Sequence, residues 1–341
     1  MSLKSALETA VAGREVPAPV LEAAFDEIAS GGAEPVMVAG LLVALRTRGE
    51  TVGEIVAAAR ALRARAGTPA ALLDPRTLDT CGTGGDGAGT FNVSTAAAFI
   101  AAGAGVPVAK HGNRAASSRC GSIDVLEALG VAVDLPVEAS ARILGRVGIA
   151  PFYARRAHPA LRHVAEVRRQ LGVRTLMNCL GPLLNPLGVR RQLVGVYAED
   201  LVRPLAEALG RLGAERALVV HGSDGLDELT TTGPSQAALL DAGRVRTFAI
   251  EPDRLGVAEA KPDALAGGDA DENAAILREV LAGAHGPRRD ICLLNAAAAL
   301  WVAGRAEGLE AGLEVARESL DSGAARERLE RLVEAAAGEA P

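Results

Sequence analysis

Aromatic side chains are almost missing: the 341-residue chain holds one Trp, two Tyr and five Phe. Ala, Val and Leu must therefore fill most of the core, within a 49% hydrophobic composition, which suits close packing of helices on a sheet. Cysteine is scarce too. Cys81, Cys120, Cys179 and Cys292 are far apart and form no Cys-x-x-Cys pair, so neither a disulfide framework nor a zinc site is indicated. Positive charge is not in excess: 36 Lys+Arg against 42 Asp+Glu leave a net charge of −6, whereas a general nucleic-acid binder carries a basic surplus. Long apolar runs are also lacking. The longest uncharged stretch, Gly87 to Ala109, contains Thr90, Asn92, Ser94, Thr95, Pro107 and several glycines, a poor membrane span. Lys4, Glu8 and Arg14 interrupt any signal-peptide core. These absences predict a soluble, cytoplasmic protein. The length amounts to about two domains of roughly 150 residues, ample for a core without disulfides or structural metal.

The first 66 residues carry helical spacing throughout. Leu3, Leu7 and Val11 share one face, and Leu21, Phe25 and Ile28 another. Gly31-Gly32 breaks the pattern, Pro35 suits a first helical turn, and Val38, Leu41, Leu42 and Leu45 point to a core. Thr51-Val-Gly-Glu54 is a capping-box pattern that opens a fourth helix through Ile55, Ala58 and Leu62. After Gly67-Thr68-Pro69 the character changes. Short strand-like runs at Thr77–Cys81, Val106–Ala109, Leu193–Ala198, Ala217–His221, Val245–Ile250 and Ile291–Leu294 alternate with helical patterns such as Thr95–Ala102, Ser122–Leu129 and Leu201–Leu212. Such alternation predicts an α/β domain with a largely parallel central sheet. The stretch from about Pro159 to Leu180 has helical spacing and no strand. It is expected to pack back on the N-terminal helices. The expected division is a helical domain over 1–70, completed by about 160–185, and an α/β domain over 71–159 and 186–341.

Three loops carry chemistry. Gly82, Gly84 and Gly87 formally match Gly-x-Gly-x-x-Gly after a strand, but no Asp or Glu lies between Gly87 and Ile123 to hold a ribose, and no Gly-Lys-Ser/Thr follows. A NAD-dependent oxidoreductase and a Walker nucleotide site are both disfavoured. Asn92-Val93-Ser94-Thr95 opens an apolar helix whose free N–H groups and dipole favour an anion, although for this feature alone ordinary capping is the better explanation. Lys110-His111-Gly112-Asn113-Arg114 and onward to Ser122 combine three cations with small hydroxyl residues, free of acids, at the end of a strand. Two anion-suited loops after successive strands imply a ligand with more than one phosphate. Opposite in sign, Asp224, Asp227 and Glu228 cluster after the strand Ala217–His221, where carboxylates can hold Mg²⁺ against ligand phosphates.

The chain resembles anthranilate phosphoribosyltransferases. The marks are Gly-Thr-Gly-Gly-Asp at 82–86, Asn-Val-Ser-Thr at 92–95, Lys-His-Gly-Asn-Arg at 110–114, Asp124 to Gly130, Asn178 to Pro186, and Asp227-Glu228, in order along nearly the whole chain. The resemblance implies a small helical domain joined to a larger α/β domain, paired as a homodimer through the helical parts. It also implies 5-phosphoribosyl-1-pyrophosphate, anthranilate and Mg²⁺ as substrates and cofactor. By position, Gly82, Gly85, Asp86, Thr90, Asn92, Val93, Ser94, Thr95, Lys110, His111, Gly112, Asn113, Arg114, Ala115, Ala116, Ser117, Ser118 and Cys120 would line the donor. Gly82, Asn113 and Arg168 would touch anthranilate, and Ser94, Asp227 and Glu228 would surround the metal. Cys120 stands where the family often has Ser. Arg155-Arg156-Ala157 before His158-Pro159, Gln170 in place of Glu and Leu184 in place of Thr are departures toward the acceptor side.

The implied reaction displaces pyrophosphate from the ribose anomeric carbon by the amine of anthranilate. An aromatic amine with a free lone pair needs little help from a base, so no dedicated base is assigned. His111 and His158 are candidates for orienting the acceptor, with a structural role equally open. A pyrimidine nucleoside phosphorylase would share the architecture without needing the metal pair. A non-catalytic nucleic-acid-binding relative is opposed by the net acidity.

Overall fold

Four helices open the chain in the computed structural model, which describes residues 2–66, 74–115 and 119–339: α1 (Ser2–Val11), α2 (Ala18–Ala29), α3 (Pro35–Arg48) and α4 (Val52–Ala64). Each boundary has a local cause. Pro35 starts α3, Gly49 ends it at φ +91°, and the Thr51/Glu54 capping box is complete, with the Glu54 amide donating to Thr51 Oγ1 at 3.2 Å and the Thr51 amide to Glu54 at 2.9 Å. Leu21, Phe25, Ile28, Val38, Leu41, Leu42 and Leu45 are all buried as the spacing predicts. Val11 is not. The buried face of α1 is Leu3, Ala6 and Ala10, and Val11 is 70% exposed. The junction Gly67-Thr68-Pro69 lies outside the described residues.

The sheet has seven strands: β1 (Leu78–Asp79), β2 (Val108–Gly112), β3 (Ile149–Tyr153), β4 (Arg191–Gly195), β5 (Arg216–Gly222), β6 (Ser235–Asp241) and β7 (Arg244–Ile250). Their order is β3-β2-β1-β4-β5-β6-β7, parallel from β3 to β5 and antiparallel from β5 to β7. The chain thus joins a small helical part to a larger α/β domain with a mostly parallel sheet. Three strand expectations need correction. Ile291–Leu294 is no strand but part of the helix Pro287–Ala303, buried on every side from Ile291 onward, so its apolar run has no helical period to display. β3 and β6 were not expected. β3 carries Pro151 yet is an edge strand, where a missing N–H costs no ladder bond. β6 has no β-branched or aromatic residue, so propensity does not announce it as a strand.

Strand alternation divides the core. Leu193, Leu218, Val220, Ala237 and Leu239 face one cluster with helices Val93–Gly103 and Pro287–Ala303. Val194, Val196, Ala217, Val219, Ala238 and Leu240 face the other, with α1–α4 and helix Val202–Arg211. Val164 and Val167 of helix Arg162–Leu171 join this second cluster, and that helix packs on α2 and α3. Arg63 of α4 stitches the layers, donating to the carbonyls of Leu183 (2.5 Å) and Leu212 (3.1 Å). Among the described residues no helix is long and apolar enough to cross a membrane.

Candidate active site

The glycine loop leaves β1 and is held at successive residues. The Thr83 amide donates to the Gly195 carbonyl (2.9 Å), and Thr83 Oγ1 accepts from the Tyr197 amide (3.1 Å). The Gly84 amide donates to Asp227 Oδ2 at 2.6 Å. Gly84, Gly85, Gly87 and Gly89 have φ between +63° and +77°, a region that side chains penalise. A Cβ at Gly84 or Gly85 would meet nothing, so both backbones border open space. Gly82 differs: its Cβ would come 2.6 Å from Asp227 Oδ2. Asp86 sits half-buried in the same loop. Thr90 forms an isolated bridge with Ala266 and is half-buried.

The second loop opens α5 (Val93–Gly103). Its N-cap, Asn92, makes no side-chain cap. Asn92 Oδ1 instead accepts from Asn273 (3.0 Å), and its Nδ2 donates to the Cys120 carbonyl (3.4 Å). The side chains of Val93 and Thr95 are buried in the core, which leaves Ser94 as the half-buried hydroxyl of this turn. The Ser94 amide donates to Glu228 Oε1 (3.1 Å), so a carboxylate occupies the helix N-terminus where the dipole favours an anion.

Lys110 belongs to β2 rather than to a loop. Its buried ammonium donates to the Thr80 carbonyl (3.0 Å), Thr80 Oγ1 (3.3 Å) and Ser94 Oγ (3.4 Å). Burial pulls its pKa down, while the charges of Asp79, Asp227 and Glu228 oppose that shift. His111 follows in the strand with both ring nitrogens buried and the Gly181 backbone beside the ring. Its ring meets that of His158 edge-on at 5.4 Å, and His158 Nε2 lies 2.6 Å from the Leu184 carbonyl. Burial drives the His111 pKa down to about 3, so it stays neutral. Beneath them the buried Asp79 accepts from the His111 amide (3.0 Å) and Asn185 Nδ2 (2.9 Å). Asp79, Cys81 and His111 offer ligand atoms within 4.8 Å of one another. Both Asp79 oxygens are already engaged there, and burial holds the Cys81 thiol in its protonated form, which suits a structural cluster better than a metal.

Beyond Gly112 the loop turns away. Gly112 leaves no room for a Cβ, which would fall 2.2 Å from Ser122 Oγ. Asn113 and Ala115 are exposed. The Arg114 guanidinium pairs with Asp124 (3.0 Å) and Glu127 (2.8 Å) on the following helix, and so faces its own acids. Asp124 also accepts from the amides of Ala115 (2.8 Å) and Gly121 (2.9 Å), closing the loop. Ala116, Ser117 and Ser118 lie outside the described residues. Cys120 is buried beside Asn92.

Asp227 and Glu228 face these elements from β5's loop. Burial pushes both carboxyls up, Glu228 to about 7; the Glu228 charge adds to the rise at Asp227 and the Asp86 charge to both, while Lys110 and Ser94 oppose it at Glu228. Gly195 makes the approach possible, since its Cβ would collide with the Asp227 carbonyl. Asn295, unforeseen in the sequence, clamps the next residue: its Oδ1 accepts from the Leu229 amide (3.0 Å) and its Nδ2 donates to the Leu229 carbonyl (2.8 Å). Asp227 and Glu228 are half-buried carboxyls, with Asp86 beside Asp227 and Ser94 beside Glu228, and all of them offer hard oxygen donors. That donor chemistry fits Mg²⁺.

Helix Arg162–Leu171 separates its two adjacent arginines. Arg168 is half-buried, with no hydrogen-bond or ion partner among the described residues, while Arg169 is exposed and bound to Glu166 at 2.5 Å. Arg156 is engaged by Asp134 at 2.6 Å.

Two models of the glycosyl transferase family match this chain: its helical bundle domain over residues 4–66 and its a/b domain over residues 74–326. An anthranilate phosphoribosyltransferase of Rubrobacter xylanophilus is 54% identical over 97% of this chain and 96% of its own length. The chain belongs to the anthranilate phosphoribosyltransferase family. A relative of the same name from Moorella thermoacetica is 52% identical over 97% of each chain. Among solved structures, anthranilate phosphoribosyltransferase from Thermus thermophilus superposes with a TM-score of 0.92 at 45% identity, covering 98% of this chain and 99% of that one. The Saccharomyces cerevisiae enzyme in complex with PRPP and Mg gives 0.89 at 29% identity, with 98% of each chain covered.

Proposed function

We propose that the protein transfers the phosphoribosyl group of 5-phosphoribosyl-1-pyrophosphate to the amine of anthranilate, releasing pyrophosphate, a step of tryptophan biosynthesis in the cytoplasm. The observation that carries this reading is the opposition of charges: Lys110 and the start of α5 stand across Ser94 from Asp227 and Glu228. A phosphorylase handling one inorganic phosphate has no use for that acidic pair. The open backbone at Gly84 and Gly85, with Asp86, Ser94 and Lys110, supports the donor's phosphates lying along these loops. Asn113 and Arg168 support an acceptor site for a carboxylate, with Gly82 at the junction. The helical part, 1–70 with about 160–185, then closes the acceptor side.

In the reaction the amine nitrogen bonds to the anomeric carbon as the bond to the pyrophosphate oxygen breaks. The amine's surplus proton leaves to solvent. Ser94, Asp227 and Glu228 would hold Mg²⁺, which would supply positive charge against the charge developing on the leaving group. The chain contributes fixed N–H groups and the Lys110 ammonium to the same end, and it holds the two reactants in line. His111 and His158, neutral and buried, shape the wall and hold no proton in transfer. A fluorescence assay tests the reading: anthranilate emission is lost only when donor and Mg²⁺ are both present. Phosphate-dependent cleavage of thymidine or uridine in its place would establish the phosphorylase.

The helical part also supports a homodimer. Helix α3 buries Val38, Leu41, Leu42 and Leu45 inward, yet Val36 (76% exposed) and Val43 (41%) stand on its outside, one heptad apart. With Val11 and Gly40 they line an open groove between α1 and α3. A helix apolar on both faces requires cover. Sedimentation is expected to give a dimer for the wild type and a monomer for Val36→Glu with Val43→Glu. A wild-type monomer at micromolar concentration would remove this assignment.

A further inference from the structure

The glycine loop has little conformational preference of its own, because four of its residues sit at positive φ. Its order depends on tethers. The bonds at Thr83 come from β4 and Tyr197, and the bond at Gly84 comes from Asp227, all within the α/β part. The tether at Gly85 has another origin. Its carbonyl accepts a hydrogen bond from Arg174 Nη2. Arg174 follows helix Arg162–Leu171, the helix that bears Arg168 and packs on α2 and α3. The Arg174 guanidinium also lies over the Tyr197 ring, 4.4 Å from its centroid, and the Tyr197 amide holds Thr83. One planar cation therefore spans a ring anchored to the sheet and the carbonyl of the donor loop.

We infer that Arg174, which follows the Arg168-bearing helix, is a positioning residue that fixes the glycine loop and so favours donor binding. The inference rests on the proposed function and adds to it. A loop ordered before binding avoids part of the entropy cost of ordering on binding, so the tether favours the donor without touching its reacting atoms. Planarity matters: guanidinium can stack on the ring and donate at its edge at once, whereas the ammonium of Lys is a point charge.

Steady-state kinetics with both substrates tests this. Arg174→Ala is expected to raise the donor KM roughly tenfold while the anthranilate KM changes less than about twofold. Arg174→Lys should recover at most part of the loss. Tyr197→Leu should raise the donor KM too, and the double variant should be no worse than the poorer single one, since both act through one contact. Calorimetry with the donor alone reads the same loss apart from turnover. A wild-type donor KM in Arg174→Ala, a full rescue by Lys, or additive effects of the two substitutions would overturn the inference. If Arg174→Ala does not fold, Arg174→Lys carries the test by itself. Wild-type protein that neither binds the donor nor consumes anthranilate would instead bring down the proposed function. An active wild type with an indifferent Arg174 would leave that function standing.

Discussion

Asp227→Asn and Glu228→Gln are each expected to lower kcat/KM by about a hundredfold or more, since removal of a group that stabilises charge on a leaving group costs that order of rate. The substitutions preserve shape. An Asn or Gln carbonyl oxygen can still accept from the Gly84 amide, now 2.6 Å from Asp227, or from the Ser94 amide, 3.1 Å from Glu228. What they remove is negative charge, so the loss should appear as a Mg²⁺ titration displaced to higher concentration. Stability should move the other way. The two carboxyls repel each other, and burial disfavours their charge, so neutralising one relieves a cost in the metal-free protein. The metal-free variants should melt no lower than wild type. Unchanged activity for both variants across the whole Mg²⁺ range would sink the metal assignment.

Much of this arrangement was legible in the chain because it depends on short, local patterns. The capping box at Thr51 and Glu54, the inward residues of α2 and α3, and the parallel strands β1, β2, β4 and β5 all follow from spacing within ten residues or so. What escaped was non-local. β3 pairs in register with β2 from Ile149↔Val108 to Tyr153↔Gly112, and five residues around a proline announce no such partner. Ile291–Leu294 reads as a strand in the sequence because a helix buried all round loses the amphipathic period that identifies helices. The same holds at the site. Asn295 reaches Leu229 across 66 residues, and Arg174 reaches Gly85 across 89. An asparagine or arginine inside a helical or loop pattern carries no local mark of such a contact. Arg114 shows the converse. Its motif places it among donor-binding residues, but Asp124 and Glu127 one helix away compete for it and hold its side chain.

The acceptor side turns on two neighbouring cations. Consecutive residues on a helix point about 100° apart, so Arg168 and Arg169 cannot share a role. Arg169 is exposed and satisfied by Glu166, an i,i+3 pair of the kind that contributes little. Arg168 is half-buried without a partner among the described residues, and burial pulls its pKa below the ordinary arginine value. A cation kept in that state gains from a carboxylate ligand, and its planar fork suits a bidentate pair. Anthranilate carries such a carboxylate, and leaving it unpaired in a closed site would cost several kcal/mol. Arg168→Ala is therefore expected to raise the anthranilate KM at least roughly tenfold, about 1.4 kcal/mol, with a smaller effect on the donor. Arg169→Ala should be nearly silent. Arg168→Lys should recover little, because an ammonium cannot make the paired bonds. If Arg169→Ala proves the damaging variant instead, the carboxylate partner has been misplaced. Arg155 then becomes the cation to examine, since Arg156 is already committed to Asp134 at 2.6 Å.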